Sequence, residues 1–201
     1  MNTAHASAVP SVMADHLVNR TRLSSVVMTL MGAALVGVLA QVSIPVGPVP
    51  VTGQTLGVML VGALLGRHRG AASMVTYLML GVAGMPWFAD GTGGGWTVMK
   101  PSFGFIVGFI PAAYVIGYLC EKQWDRHPMR ALAAFGAASL IPFVTGVPSL
   151  WAVLAWGGQV LSFTQLIAVG ITPFLIGGVI KWLLGTAILP GAWSLIRHWE
   201  R

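Results

Sequence analysis

Charged side chains interrupt this chain at a few points and leave long apolar runs between them. No Asp, Glu, Lys or Arg occurs in residues 23–65, 70–89, 101–120, 131–180 or 182–196. A helix needs about 20 mostly apolar residues to cross the hydrocarbon core of a bilayer. The runs therefore predict an all-α integral membrane protein with six transmembrane helices in one domain, residues 23–201, behind a mobile cytoplasmic tail, residues 1–22.

The pattern also predicts where each span begins and ends. Span 1, about 26–44, stops at Ile44-Pro-Val-Gly-Pro-Val-Pro50, whose prolines lack backbone donors. Span 2 runs from about Thr55 to Gly66 and borrows part of the preceding loop to complete its length. Span 3 covers about 70–88, and span 4 about 103–119. Between them lies the glycine-rich segment 89–102, which reads either as a flexible lid over a ligand or as a slack connector. Span 5 starts near Ala131 and is expected to kink or end around Val147, because Pro142 and Pro148 fall inside it. Residues 151–171 read as a partly buried outer segment. Thr172-Pro173 then resembles an N-cap followed by a first-turn proline, opening a last span over Pro173–Ile196.

Charge changes the picture in two ways. Nine of the eleven Lys and Arg fall in four clusters, at 20–22, 67–69, 122–130 and 197–201. They alternate with charge-poor turns, so the positive-inside rule places them and both termini in the cytoplasm. This placement accounts for a formal charge of +6 without nucleic acid. Lys100 and Lys181 are left over. Lys181 would sit about 12 Å below the outer end of the last span, where a lone ammonium requires a partner. Had that helix run from Ser162 to Pro190 instead, Lys181 would approach the cytoplasmic side and snorkel.

Several chemistries are excluded. There is no phosphate-loop motif, and the histidines, at 5, 16, 68, 127 and 198, fall in the tail or at cytoplasmic borders. None of the five carboxylates lies within a span, and Cys120 is alone, so neither a paired-acid site nor a metal site can be assembled. The chain reads as a non-enzyme without metal or cofactor. What survives is a binding site at the outer face, where Asp90 and Lys100 share a loop with Lys181 below and aromatics such as Trp87 and Phe105 around them. A solvated loop pair accounts for Asp90 and Lys100 equally well, and an interfacial belt is the ordinary role of the aromatics.

Small residues recur four apart, among them Ala33 and Gly37, Gly62 and Gly66, Gly104 and Gly108, and Ala113 and Gly117. Such pairs let helix backbones approach closely in lipid.

Five segments together resemble a known family. They are Gln41-Val-Ser-Ile-Pro45, Gly47-Pro-Val-Pro-Val-Thr-Gly-Gln-Thr-Leu-Gly57, Lys100-Pro-Ser-Phe-Gly-Phe-Ile-Val-Gly-Phe109, Thr145-Gly-Val-Pro148 and Pro173-Phe-Leu-Ile-Gly177 followed by Lys181. In this order they resemble the BioY family, the biotin-binding S components of energy-coupling factor (ECF) vitamin transporters. The resemblance implies an ECF S-component fold and high-affinity capture and uptake of biotin across the cell membrane. It implies as partners a transmembrane coupling subunit and two cytoplasmic ATPases; a homo-oligomer working without them stays open.

The resemblance assigns Lys181 to the biotin carboxylate and places Lys100 near the ligand, while Thr52 and Gln54 of the first-loop motif either line the pocket or cap span 2. It makes Ala33 and Gly37 the docking motif for the coupling subunit. The family's aspartate three residues before the lysine is here Gly178, and Asp90 stands where relatives carry asparagine. Asp90 is therefore the candidate replacement acceptor for the ureido N–H groups. The Gly178 departure keeps another small carboxylated vitamin or precursor open as the ligand. A structural membrane subunit with no ligand is the reading from a different class.

Overall fold

The computed structural model describes residues 12–17 and 21–199. Its helices are α1 (Met13–Leu17), α2 (Arg22–Ala40), α3 (Gln54–Leu65), α4 (Arg67–Val82), α5 (Phe103–Glu121), α6 (Pro128–Trp156), α7 (Phe163–Gly170) and α8 (Thr172–Trp199). Two short strands, β1 (Ser43–Ile44) and β2 (Val51–Thr52), pair antiparallel and tie down the proline-rich loop between them.

Helix α5 is the axis of the bundle and packs against α3, α4 and α6. Small residues make this possible. A Cβ on Gly62 would lie 2.6 Å from the Ala113 carbonyl, and one on Gly117 would lie 2.4 Å from the Arg67 backbone nitrogen. Lipid offers little hydrophobic drive for helix association, so this backbone-close contact carries the packing.

Among the described residues, four stretches are long and apolar enough to cross a bilayer: Arg22–Ala40, Phe103–Glu121, Pro128–Trp156 and Phe163–Leu189. With 12 and 16 residues, α3 and α4 are shorter than a full crossing. Much of α3 is enclosed by its neighbours. In contrast, α8 turns Leu175, Ile176, Val179, Ile180 and Leu183 outward, an apolar surface suited to lipid.

The expected end of span 5 near Val147 is overturned. Helix α6 continues through Pro142 and Pro148 for 29 residues, about 43 Å at 1.5 Å per residue. Each proline forfeits one backbone donor, but the flanking turns are held by packing on α5. A Cβ on Gly108 would come within 2.7 Å of Pro142 Cα, and the Thr145 hydroxyl donates to the Gly104 carbonyl at 2.8 Å. Residues 151–156 thus belong to α6 rather than to an outer segment. Ser162 starts α7 with a reciprocal capping box to Gln165, and Ile171 separates α7 from α8. The start of α8 at Thr172 agrees with the first placement of the last span.

Residues 12–17 also depart from expectation, because this part of the tail is docked. Val12, Met13 and Ala14 are buried, Asp15 binds Arg69 at 2.6 Å, and the His16 ring stands edge-on to Trp193 at 5.2 Å. Burying three apolar side chains and one ion pair offsets the entropy of ordering so short a segment. Residues 1–11 and 18–20 of the predicted tail lie outside the described residues.

At the same end, Asp125 in the turn between α5 and α6 is buried and accepts a hydrogen bond from the Trp193 indole. Burial raises its carboxyl above the usual range, and the Trp193 bond opposes this only in part. A raised acid favours folding while protonated, so its contribution is full below the unfolded value of about 3.9 and lost as pH rises through the folded value. Asp125→Asn is therefore expected to be at least as stable as wild type at pH 7. Thermal unfolding in detergent should show that advantage shrinking as pH is lowered toward about 4.

Candidate functional site

At the end of the bundle opposite Asp125, the β1–β2 loop, the 88–102 segment and the ends of α3, α5 and α8 enclose a cavity of about 300 Å³. Its apolar wall is aromatic. Phe105, Phe143 and Phe174 meet pairwise at centroid distances of 5.7, 5.7 and 5.8 Å, with Phe105 and Phe174 stacked and Phe143 edge-on to both. These rings come from three different helices, α5, α6 and α8, so one layer of aromatic contacts sets their spacing.

The polar groups of the cavity form two sets. Thr52, Gln54, Thr55 and Lys181 make one; Asp90, Thr92 and Lys100 make the other. Lys181 reaches from the middle of α8 to the β2–α3 turn, where Nζ donates to the Thr52 carbonyl at 2.5 Å and the Thr55 hydroxyl at 3.0 Å. Both acceptors are neutral, so the ammonium is held in place with its charge uncompensated by these partners. Lys181 is half-buried at the cavity wall and does not extend toward the opposite end of the bundle as a snorkelling side chain would.

The glycine-rich segment is a fastened structure and not a slack connector. Phe88 N–H donates to the Thr92 carbonyl at 2.9 Å, and Gly94 N–H donates to the Gly81 carbonyl at 2.7 Å. A Cβ on Gly93 would come 2.3 Å from the Met85 carbonyl, which explains a glycine there. Asp90 adopts a left-handed conformation, φ 60° and ψ 34°, which Asp tolerates better than most residues. The following Gly91 N–H is fixed by the Gln41 side-chain carbonyl at 3.0 Å. Lys100 turns to the Thr92 hydroxyl at 3.2 Å and lies over the Trp96 ring at 4.6 Å.

Six of the seven expected ligand-site residues, Thr52, Gln54, Asp90, Lys100, Phe105 and Lys181, line this one cavity. Trp87 does not. It is buried behind the wall, with its indole N–H on the Tyr77 carbonyl at 2.9 Å and its ring 5.1 Å from the Tyr77 ring. Ala33 and Gly37 are also corrected. Ala33 is 0% exposed in the core, and a Cβ on Gly37 would meet the Trp87 side chain at 3.1 Å. Their smallness serves the chain's own bundle, and the exposed face of α2 carries Leu30 and Val38 instead.

Sequence reasoning missed Thr55, Phe143 and Phe174 as lining residues. Thr55 belongs to the Gly47–Gly57 motif, directly after Gln54. The two phenylalanines join the wall only through tertiary packing. Gly178 lies on the α8 face that also carries Phe174 and Lys181, at the i, i+4, i+7 spacing, and a Cβ there would enter open space. Among the described residues, no cluster of three His, Cys, Asp or Glu side chains could hold a metal ion.

Comparison with known proteins agrees with this architecture. The BioY family pattern matches residues 11–198. The biotin transporter BioY of Thermotoga maritima is 36% identical over 160 residues, which cover 77% of this chain and 87% of that protein. The biotin transporter BioY of Rhizobium etli is 36% identical over 175 residues, 82% of this chain and 92% of that protein. A crystal structure of the S-component for biotin from an ECF-type ABC transporter superposes with a TM-score of 0.64 at 24% identity, covering 88% of this chain and 94% of that one. That likeness shows the S-component fold. With a family match over nearly its whole length and relatives 36% identical over most of it, the chain belongs to the BioY family.

Proposed function

We propose that this multi-pass membrane protein is the biotin-binding S subunit of an ECF-type transporter and not an enzyme. The carrying observation is the cavity. It is aromatic along one wall, has Lys181 held by neutral oxygens, and has Asp90 on the loop. Its volume is at the lower end of the range for small-molecule sites, about 300–1,000 Å³. Biotin offers a carboxylate, an apolar chain and bicyclic body, and ureido N–H donors, which suit an ammonium, an aromatic wall and a carboxylate in turn. In this reading Lys181 binds the carboxylate, Asp90 accepts from the ureido group, Phe105 packs on the apolar body, and Thr52, Gln54 and Lys100 complete the polar rim.

Six crossings fit this reading, with α3 and α4 completed by the β1–β2 loop and the 83–102 segment. Arg67, Arg69 and Lys122 gather at the end away from the cavity, which supports a cytoplasmic placement of that end and of both termini. The cavity then opens outward. A coupling subunit and two ATPases would supply the energy, since the chain carries no nucleotide-binding motif.

Equilibrium binding of labelled biotin to the purified protein, with other carboxylated vitamins as competitors, tests the reading. Preferential displacement by another vitamin would move the assignment to that ligand, and no binding of any would favour a structural subunit. Asp90→Asn is expected to weaken biotin binding by about tenfold, the worth of a charge-assisted hydrogen bond of roughly 1.5 kcal/mol. Unchanged affinity would remove Asp90 from the site.

A further inference from the structure

The two ligand-facing loops are joined behind the cavity wall by an unbroken run of polar contacts. Lys181 donates to the Thr52 carbonyl, and the Thr52 hydroxyl donates to the Gln54 side-chain oxygen at 2.7 Å. The Gln54 amide donates to the Tyr77 hydroxyl at 2.7 Å, and Tyr77 donates to the Trp87 carbonyl at 3.1 Å. Gln41 continues the run. Its amide donates to the Trp87 and Phe88 carbonyls at 3.3 and 3.2 Å, and its own oxygen accepts from Gly91 N–H at 3.0 Å, beside Asp90.

From this geometry we infer that Tyr77 and Gln41 are positioning residues that couple the Lys181 anchor to the Asp90 loop, so that the two loops order together around a ligand. Neither residue lines the cavity. Thr52, Gln54, Tyr77 and Trp87 are buried, so the run is shielded from competing water. From the Thr52 hydroxyl through Gln54 and Tyr77 to the Trp87 carbonyl, the three side-chain bonds run in one direction, the arrangement in which hydrogen bonds polarise and strengthen one another. The Tyr77 ring also touches both Trp87 and Phe88, at 5.1 and 5.2 Å, so the base of the loop rests on the same side chain. Removing the hydroxyl alone keeps those ring contacts and cuts the run between Gln54 and Trp87.

The inference rests on the biotin reading for its ligand but not for its loop coupling, and amide hydrogen exchange separates the two. In the ligand-free protein, Tyr77→Phe is expected to speed exchange together in residues 43–55 and 88–92 by about fivefold, with α5 and α6 unchanged. With biotin, release from Tyr77→Phe should be about tenfold faster. Gln41→Ala, at the exposed end of the run, should speed release similarly, and the double variant should fall well short of the product of the two effects. Exchange that rises in only one loop, or uniformly through the bundle, would overturn the coupling. So would fully multiplicative effects on release. If wild type binds no biotin, the ligand reading fails while the exchange pattern still decides the coupling.

Discussion

Lys181→Met is expected to weaken biotin binding by at least about thirtyfold, because it removes the ammonium while keeping a stem of similar length. Truncating one partner of a buried, hydrogen-bonded charge pair costs about 2–5 kcal/mol, and the lower bound corresponds to a factor of roughly thirty. The effect should sit at the large end of substitutions in the cavity, since Lys181 is held on two neutral oxygens that leave its charge uncompensated. Equilibrium titration with labelled biotin reads it directly. Titration with a biotin derivative whose carboxylate is converted to an amide separates the roles. Wild type and variant should bind that derivative almost alike if Lys181 faces the carboxylate. An undiminished affinity of Lys181→Met for biotin itself would return the lysine to a structural role on the β2–α3 turn.

Gly117→Val is expected to destabilise the fold by about 3 kcal/mol or more, at the upper end of the usual overpacking range. The three nearest atoms to a Cβ at this position, at 2.4 to 2.7 Å, are all backbone atoms of the Gly66–Arg67 turn. No side chain can rotate away to make room. Gly66 itself has φ 83°, so the turn depends on a conformation that other residues rarely adopt. The variant should show a sharply reduced monodisperse fraction after extraction and a clearly lower unfolding temperature. Wild-type behaviour on both counts would mean that α5 can shift away from α3 and α4 without loss.

The same region shows which parts of the architecture were legible in the chain. Long runs without charge predict membrane helices because each unpaired backbone group or charge in hydrocarbon costs several kcal/mol, leaving few alternative structures. The starts of α5 at Phe103 and of α8 at Thr172 agree with their local signals. Helix α6 does not end at its prolines. A proline removes one backbone bond wherever it stands, but whether the helix stops depends on what the neighbouring turns rest against. Here they rest on the glycine face of α5.

Residue roles divide in the same way. Lys181, Asp90, Gln54 and Thr52 could be singled out because a charge inside an apolar run or a polar residue in a distinctive motif is anomalous in sequence and needs a reason. Phe143 is one phenylalanine among eight, and nothing local marks it, while Phe174 stands in a motif segment without any local sign that its ring faces a ligand. Ala33 and Gly37 show the converse error. Four-residue spacing puts two small side chains on one face of a helix but does not say what that face meets. In the structure it meets Trp87 and the bundle core.

By itself, therefore, the sequence determined that this is a helical membrane protein with one lysine inside an apolar run. Lipid and charge impose those conclusions on any fold the chain could adopt. Only the tertiary structure decided which small residues face inward, which aromatics wall the cavity, and how a hydroxyl on α4 joins the two loops. Those are contacts between residues 10 to 129 positions apart, and the distance between such residues is set by packing and not by any local preference of the chain.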